Sequence, residues 1–404
     1  MIIIKMTERN KENLFVQKIY PVINNEDLLE FRIPPFEKGQ IDLENVLIHF
    51  TTKIQTHTDK TIKVRPQNFY GAKQFSSVEV KLNGEAITRR SCANEFFLGA
   101  YFHNICNYSA DYLTSAMRPT GIFDCYNTTT EILATKTTAQ VTAFTESRKF
   151  VTDSSNVEIL MGIDSSIFRS GDILPSNTPL EISFERATSD FSSIITKDGT
   201  LKKAVNELKD VYLTVPFVHD IDTFHNERNA ISKPLKVRYD DYAIRRFNIP
   251  KGSNNVRLDN ILTGVLPSKI FWGIQTIESY SGSFKQSSTR FGRHKLSKAS
   301  LYLDGNEYSE FPITMTDDNV AQPYVKFLQN TNKQQNGYLG KLLEMSEFAT
   351  DNFILSATLN SNTNGTVSFE FEFEEPINND LVLIVCSLKE KILKIDNNRN
   401  FQIL

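Results

Sequence analysis

The stretch Val367-Ser-Phe-Glu-Phe-Glu-Phe-Glu-Glu375 decides the fold class, because its side chains alternate between apolar and acidic. Successive side chains of an extended strand point to opposite faces. One face therefore carries Val367 and three phenylalanines, while the other carries Glu370, Glu372 and Glu374. The pattern predicts a strand with one buried and one solvated face. Carboxylates on a solvated face discourage pairing with foreign strand edges, and we prefer this interpretation to a metal or acid–base site.

Alternation of the same kind recurs along the whole chain, between clusters of Gly, Asn, Asp, Ser and Pro. Such short alternating runs are typical of antiparallel strands. With six or seven strand candidates in each half, the sequence predicts an all-β protein. The candidates are 28–33, 41–54, 75–82, 149–152, 157–163, 180–187 and 210–217 in the first half, and 242–249, 269–276, 299–303, 352–358, 367–374 and 381–388 in the second.

The two halves of the chain also resemble each other. Residues 77–85 and 299–307 each form an alternating run that leads into an Asn-Gly or Asp-Gly pair, which is a hairpin signal. Near the end of each half, 179–186 and 366–373 give a second similar pair. Two related β domains in tandem explain both matches.

A chain of 404 residues has room for two such domains. Between 218 and 238 the alternation gives way to a polar stretch of mixed charge, which predicts a linker. Its His219 and His225, with Asp220 and Asp222 between them, have metal-ligand chemistry, but a solvated linker has the same composition. The expected organisation is an N-terminal arm (1–25), a first β domain (26–217), the linker (218–238) and a second β domain (239–404).

One segment breaks the β pattern. Between 93 and 117, aromatic and aliphatic residues recur at spacings of three, four and five, and the next proline is Pro119, which predicts one helix or two short ones. His103 and Cys106 lie three residues apart on it with Cys92 nearby, so a zinc site is conceivable. Because the sequence offers no fourth ligand at a suitable spacing, we predict a packed histidine and buried thiols.

Composition and motifs exclude several classes of function. The formal charge is -3, from 45 Lys plus Arg against 48 Asp plus Glu, so no overall basic charge favours nucleic acid or an anionic membrane. The sequence contains no phosphate-binding loop, dinucleotide fingerprint, zinc-protease motif or nucleophile elbow. We therefore expect no enzyme activity and no cofactor, and we nominate no catalytic residue and no metal ligand.

Two further features concern location and thiol chemistry. No apolar run reaches the length of a signal-peptide core or of a membrane span, so we expect a protein that is not secreted by a signal peptide. Four cysteines without a CxxC pair indicate free thiols rather than a disulfide framework.

The most basic stretch holds five cations in the fourteen residues from 285 to 298. Its candidate contact residues are Lys285, Arg290, Arg293 and Lys298. Such a cluster has the chemistry to touch phosphate or an acidic partner. A solvated loop between strands gives the same composition.

Short stretches spread over the chain carry a family resemblance through their order and spacing. In the second half they are Leu262-Thr-Gly-Val-Leu-Pro-Ser-Lys-Ile-Phe-Trp-Gly-Ile274, Tyr280-Ser-Gly-Ser-Phe284, Leu301-Tyr-Leu-Asp-Gly305, Tyr324-Val325, Asn336-Gly-Tyr338 and Ile392-Leu-Lys-Ile-Asp-Asn-Asn-Arg399. The first half matches in outline at 41–43, 68–84, the aromatic helix and 167–186. Together these stretches resemble the major capsid proteins of Polinton/Maverick elements and adintoviruses.

The resemblance implies two tandem jelly-roll β-sandwiches, a double jelly roll, with a short helical insertion in the first. It also implies a viral major capsid protein that homotrimerises into pseudo-hexameric capsomers, which tile an icosahedral shell around double-stranded DNA. The implied partners are further copies of the chain, a penton or minor capsid protein, and packaged DNA bound without sequence specificity, with no membrane span. The implied location is the virion, after assembly in the host nucleus or cytoplasm.

The resemblance also suggests roles for the candidate residues. Lys285, Arg290, Arg293 and Lys298 would serve the inner surface of the shell or a subunit contact. The aromatic residues Phe96, Phe97, Tyr101 and Tyr108 of the predicted helix would pack at the trimer interface or at the junction of the two barrels.

Three alternatives stay open at this point. A minor capsid (penton) protein of the same elements usually has one jelly roll, which leaves half of the chain unexplained. A two-domain β-sandwich carbohydrate-binding module needs an aromatic pocket, whereas Trp272, the only tryptophan, lies in an apolar run and is predicted in the core. A β-sandwich glycoside hydrolase needs two facing carboxylates, but Glu370 and Glu372 share one strand.

Overall fold

The computed structural model describes residues 14–35, 39–59, 64–88, 92–123, 156–195, 199–218, 235–316, 319–331, 343–360, 363–396 and 400–403, and the structural statements below concern these residues. They form two β-sandwiches with a few short helices. The strand candidate at 149–152 and the polar residues His219, Asp220, Asp222 and His225 lie outside the described residues.

The first half contains thirteen strands and three helices within the described residues. The strands are β1 (Leu14–Ile19), β2 (Ile23–Asn24), β3 (Leu28–Ile33), β4 (Gln40–Asp42), β5 (Leu47–Lys53), β6 (Val64–Pro66), β7 (Phe75–Leu82), β8 (Glu85–Ala86), β9 (Asn156–Gly162), β10 (Ile173–Leu174), β11 (Leu180–Arg186), β12 (Ser193–Ile195) and β13 (Leu208–Val218). The helices are α1 (Glu95–Asn107), α2 (Ala110–Ser115) and α3 (Ser189–Ser192).

Eight of these strands build the first sandwich. One sheet has the order β1-β13-β5-β9, and the facing sheet has the order β3-β11-β7-β8. All of these pairs are antiparallel. Counted along the chain from first to eighth, the strands run 1-8-3-6 in one sheet and 2-7-4-5 in the other, which is the paired Greek-key connectivity of a jelly roll.

The second half contains ten strands and three helices within the described residues. The strands are β14 (Leu235–Ile249), β15 (Asn255–Val265), β16 (Lys269–Thr276), β17 (Leu296–Leu303), β18 (Asn306–Glu307), β19 (Ile313–Thr314), β20 (Ile354–Thr358), β21 (Asn364–Phe373), β22 (Leu381–Ile395) and β23 (Phe401–Ile403). The helices are α4 (Ile277–Ser281), α5 (Ala321–Asn330) and α6 (Met345–Thr350).

The second sandwich repeats the topology of the first. Its sheets have the orders β14-β22-β16-β20 and β15-β21-β17-β18, again 1-8-3-6 and 2-7-4-5 when counted along the chain. The predicted all-β fold of two tandem jelly rolls is therefore confirmed. Each sandwich has eight principal strands, β6 and β12 form a separate two-stranded sheet, and the other short strands pair with strands of the two sandwiches.

The internal repeat noted in the sequence aligns equivalent strands. The pair 77–85 and 299–307 covers β7 and β17, which are the fourth strands of their sandwiches, and 179–186 and 366–373 cover the seventh strands, β11 and β21. Both fourth strands end in a turn whose two central residues have positive φ: 51° and 81° at Asn83-Gly84, and 49° and 81° at Asp304-Gly305. Asn, Asp and Gly tolerate this conformation, which matches the twist of a tight hairpin.

Strand β21 shows the predicted division between core and solvent. Val367, Phe369 and Phe371 are fully buried, and Trp272 stacks on Phe369 at a ring-centroid distance of 4.6 Å. Trp272 is 1% exposed, so its predicted place in the core is confirmed. The glutamates of the other face form cross-strand contacts on the sheet surface, such as Tyr302 Oη to Glu370 at 2.8 Å.

The helices agree with the sequence in the first half and add to it in the second. The predicted segment 93–117 forms two helices, α1 and α2. The sequence predicts a helical insertion in the first sandwich alone, whereas α5 and α6 occupy the same connection of the second, between its fifth and sixth strands. Their signals are weak: α5 contains Pro323, and the N-terminal cap of α6 is Glu344 instead of Ser, Thr, Asp or Asn.

The N-terminal boundary of the first sandwich differs from the expected one. Residues 14–19, assigned to the arm, form β1, which pairs with β13 along its whole length. At the other boundary, β14 begins at Leu235, inside the stretch 218–238 expected to be linker. Both strands alternate weakly because polar residues such as Gln17, Lys18 and Asp240 interrupt the apolar pattern.

Candidate functional site: the junction between the sandwiches

Helix α1 lies between the two sandwiches and contacts both. The phenol of Tyr101 donates a hydrogen bond to Asn352 Oδ1 of the second sandwich at 3.0 Å, and its ring stacks on Phe291 at 5.4 Å. Tyr101, Phe291 and Asn352 are all buried. The sequence accounts for this position, since α1 has apolar residues on nearly all sides and such a helix requires burial all round.

The other aromatic residues predicted for the junction have different neighbours. Phe96 packs edge-on against Phe184 of the first sandwich at 5.9 Å, and Phe97 does the same with Phe191 at 5.2 Å. Tyr108 is half-buried and stacks on Tyr112 at 4.8 Å. Of the four candidates, Tyr101 forms both a ring contact and a hydrogen bond across the junction, while Phe96 and Phe97 anchor α1 to its own sandwich.

A buried polar cluster joins the sandwiches beside α1. Gln67 is 2% exposed, and its Oε1 accepts hydrogen bonds from Lys73 Nζ at 2.8 Å and from the Ser288 backbone N–H at 3.2 Å. Its Nε2 donates to the Ser193 carbonyl at 3.0 Å and to the Ser283 carbonyl at 3.3 Å. One amide therefore links the first sandwich to the loop 283–288 of the second.

Lys73 is fully buried, and its ammonium lies 5.0 Å from the centre of the Phe97 ring. A buried charge without partners is costly. The hydrogen bond to Gln67 and the ring face offset part of that cost. The cluster is therefore sensitive to loss of any one member.

A second group of side chains, partly buried, places a charge pair against strand β14. The guanidinium of Arg169 forms an ion pair with Asp164 and lies 4.9 Å from the centre of the Tyr242 ring, and His103 Nδ1 is 2.9 Å from Asp164 Oδ1. Burial alone would raise the pKa of Asp164, but Arg169 and His103 hold it below its usual value. Burial raises the pKa of Tyr242, whose hydroxyl accepts a hydrogen bond from Asn107.

Backbone contacts complete the junction. The Ile195 N–H donates to the Phe284 carbonyl at 2.8 Å, and the Tyr280 hydroxyl donates to the Ala93 carbonyl at 2.8 Å. Gly282 has φ +99°, and a Cβ there would lie 3.0 Å from Asp190 Oδ2. Glycine at 282 therefore permits the close approach of the two halves.

The basic stretch 285–298 does not form one continuous cationic surface. Arg293 is buried and pairs with Glu374 at 2.8 Å. Arg290 pairs with Asp351 at 2.7 Å, Lys298 with Glu372 at 2.6 Å, and Lys295 with Glu374 at 3.9 Å. Lys285 lies in the loop at the junction, where its backbone N–H donates to Ser283 Oγ. Carboxylates of the same chain thus offset much of the charge that the sequence suggested for an external contact.

The zinc site considered for His103, Cys106 and Cys92 is not formed within the described residues. His103 faces Asp164, and the described part of the chain holds no cluster of three metal-ligating side chains. Cys92, Cys106 and Cys386 are free thiols, as predicted, and Cys125 lies outside the described residues.

A cleft of about 420 Å³ opens between the sandwiches beside α1, lined in part by Gly99, Arg169, Tyr242 and Lys391. Four of the charged groups that line it form ion pairs within the chain, Arg169 with Asp164 and Lys391 with Asp241.

Sequence reasoning missed Gln67, Lys73, Asp164 and Arg169. Gln67 and Lys73, and likewise Asp164 and Arg169, are close in sequence, but no local spacing reveals their contacts across the junction: Gln67 and Ser288 are 221 positions apart. The polar character of loop 283–288 was visible in the sequence, but its partner was not.

Two jelly rolls joined through such a junction define the double jelly-roll class of fold. Solved structures of this class resemble the chain over nearly its whole length, and they come from viruses. A chain of the PBCV-1 virus capsid is 11% identical, with 99% of this chain and 98% of that chain covered and a TM-score of 0.57. A chain of the Sputnik virophage is 9% identical, with 99% and 91% covered and a TM-score of 0.59.

The mavirus major capsid protein is a third similar structure, 12% identical, with 99% and 92% covered and a TM-score of 0.55. No protein-family model and no curated protein sequence matches the chain. At these identities the comparisons establish the fold. Within the described residues, no helix is long and apolar enough to cross a membrane.

Proposed function

We propose that the chain is a viral major capsid protein that homotrimerises into pseudo-hexameric capsomers of an icosahedral shell. The observation that carries this proposal is the repetition of one jelly-roll topology in two sandwiches held by a buried junction. Six similar sandwiches from three chains would then present a nearly six-sided outline. The similar solved structures are capsid proteins and not enzymes, which supports a structural, non-enzymatic role.

The finer assignment rests on the sequence resemblance to Polinton/Maverick elements and adintoviruses. It suggests a virion location, assembly in the host nucleus or cytoplasm, a penton or minor capsid protein as partner, and double-stranded DNA as the packaged genome. Because Arg290, Arg293 and Lys298 form ion pairs within the chain, any DNA contact would be local and non-specific.

The mass of the purified native protein, measured by light scattering, tests the proposal. A stable species of three times 46.1 kDa is expected, and negative-stain images should show six-sided particles or closed shells across a series of salt concentrations and pH values. A monomer under every condition would contradict the proposal.

The alternative of a penton protein of the same elements is disfavoured by the second jelly roll. The carbohydrate-binding alternative loses its main candidate residue, because Trp272 is in the core.

A further inference from the structure

The two sandwiches allow a direct comparison of equivalent surfaces. Strands β1 and β14 are the first strands of their sandwiches, and each pairs with the last strand, β13 or β22. The register fixes equivalent positions. In the first sandwich, Thr214 of the last strand pairs with Lys18 on one side and with Leu47, the first residue of the third strand, on the other. In the second sandwich, Leu388 of the last strand pairs in the same way with Tyr242 and with Lys269, again the first residue of the third strand. Lys18 and Tyr242 are therefore equivalent positions. Two residues further along, Tyr20 of the first sandwich is equivalent to Ile244 of the second.

These equivalent positions differ in exposure. Tyr242 is 7% exposed and Ile244 is fully buried, whereas Tyr20 is 65% exposed. The same face of the first sandwich also exposes Val16 (54%), and Val22 (55%) follows shortly after in the chain. An exposed cluster of this kind on a sheet edge marks an interaction surface.

The cover over β14 comes from the first sandwich. Asn107 of α1 donates a hydrogen bond to the Tyr242 hydroxyl, and the Cys92 thiol contacts the Ile244 carbonyl at 3.9 Å. Helix α1 belongs to the connection between the fifth and sixth strands of its sandwich. The same connection of the second sandwich carries α5 and α6.

Helices α5 and α6 also expose apolar side chains, namely Val325 (38%) and Met345 (47%). The described part of one chain forms no third sandwich for them to cover. The first sandwich thus has an uncovered strand, and the second has the element that covers such a strand. Lys18 beside Tyr20 and Glu344 beside Met345 add opposite charges to the two surfaces.

We infer that the occupant of the β1 surface is a second copy of this chain, whose α5 and α6 cover β1 as α1 covers β14. The contact is head-to-tail and joins two different surfaces, so it generates a ring if it closes. The inference rests on the proposed homotrimer, in which three such contacts would complete the ring. It assigns Val16, Tyr20 and Val22 to one side of the subunit contact and Val325 and Met345 to the other.

Aspartate substitutions on either side test the contact. Tyr20→Asp and Val325→Asp should each convert the trimer to a 46.1 kDa monomer by light scattering, because each buries an unpaired carboxylate in the contact. Val265→Asp and Ile277→Asp are matched controls, since these side chains are 53% and 43% exposed and lie outside the assigned surfaces. The controls should remain trimeric, and all four variants should keep the wild-type circular dichroism spectrum.

Cross-linking tests the head-to-tail geometry without disrupting the contact. Chains carrying Tyr20→Cys and Val325→Cys are co-expressed and treated with a short bis-maleimide, with the wild-type chain as control for native thiols. A covalent dimer is expected in the co-expressed sample and not with either variant alone.

The outcomes separate this inference from the proposed function. A monomeric wild-type protein would refute the homotrimer itself. A trimeric wild type whose Tyr20→Asp and Val325→Asp variants also stay trimeric would overturn the inference alone. Cross-linking of the Tyr20→Cys chain with itself would do the same, because it requires a symmetric β1–β1 contact.

Discussion

Replacing Gln67 by leucine should loosen the two sandwiches from each other. The Gln67 amide is 2% exposed and links Lys73 and the Ser193 carbonyl of the first sandwich to Ser288 and Ser283 of the second. Leucine has a similar volume but neither donates nor accepts a hydrogen bond. The substitution therefore removes the polar link while the space stays filled.

The expected loss of stability follows from the buried groups that lose their hydrogen bond to Gln67. Loss of a hydrogen bond to a charged group costs about 1.5–3 kcal/mol, and each buried backbone group that loses its partner costs about 1–3 kcal/mol. Leucine recovers part of this free energy because its apolar side chain is buried. We expect Gln67→Leu to lower the free energy of unfolding by about 3–5 kcal/mol.

Urea denaturation followed by two signals gives the assay. Fluorescence of Trp272, the only tryptophan, reports on the core of the second sandwich, and far-ultraviolet circular dichroism reports on the whole chain. The wild-type signals should change together, whereas those of Gln67→Leu should separate, because weakly coupled domains unfold independently. Gln402→Leu, at an exposed position on β23, is the matched control and should leave both transitions in place.

A double-mutant cycle isolates the contact with Lys73. Because Lys73→Met removes the charge that Gln67 stabilises, the double variant should be more stable than the sum of the single effects predicts, by about 1–2 kcal/mol. A Gln67→Leu variant within about 1 kcal/mol of wild type, or strictly additive single effects, would refute the argument.

Three further predictions concern single positions. Gly282→Ala should destabilise the protein by about 1–3 kcal/mol because of its positive φ and the nearby Asp190, as measured by urea denaturation, whereas Gly162→Ala, with open space around it, should have a much smaller effect. Arg293→Ser should cost about 2–3 kcal/mol by leaving Glu374 without its buried partner. Lys298→Ser should cost clearly less, because solvent screens its pair with Glu372, and equal losses would contradict this assignment. Burial, together with the nearby charge of Arg290, lowers the pKa of His294 from 6.5 to about 4. The unfolded chain therefore binds a proton at His294 more readily than the folded chain does. The free energy of unfolding should fall by up to about 3 kcal/mol as the pH drops from 6.5 to 4. His294→Asn, which tolerates the φ of 51°, should flatten that pH dependence, and an unchanged slope would count against it.

Local patterns in the sequence were sufficient for most of the strands and for their repetition. The alternation in 367–373 identified a half-buried strand, since side-chain direction in a strand depends on sequence position alone. The turns at Asn83-Gly84 and Asp304-Gly305 were visible for a similar reason, because few residue types tolerate positive φ. These signals identified equivalent strands in both halves. The interrupted patterns of β1, β15, α5 and α6 were missed, because packing against neighbouring elements stabilises them more than their own sequence does.

The candidate residues show where local reasoning ends. Arg290, Arg293 and Lys298 were noticeable in the sequence because several cations lie close together there. Their ion pairs with Asp351, Glu374 and Glu372 were not, because these pairs depend on strand register and loop closure. Tyr101 was visible as one aromatic among several on α1. Its contact with Asn352 and Phe291 distinguishes it from Phe96 and Phe97, and that contact exists because the second sandwich folds against α1.

The sequence by itself determined the β class, the doubling of one unit and the helix inserted in the first, because these follow from periodicity and turn chemistry over a few residues. The tertiary structure decided the strand order, the Gln67 and Asp164 clusters, and the contrast between covered β14 and uncovered β1. Those features join residues up to 221 positions apart. The physical reason is that burial and charge pairing depend on which surfaces meet, and surfaces form after the strands have been arranged in space.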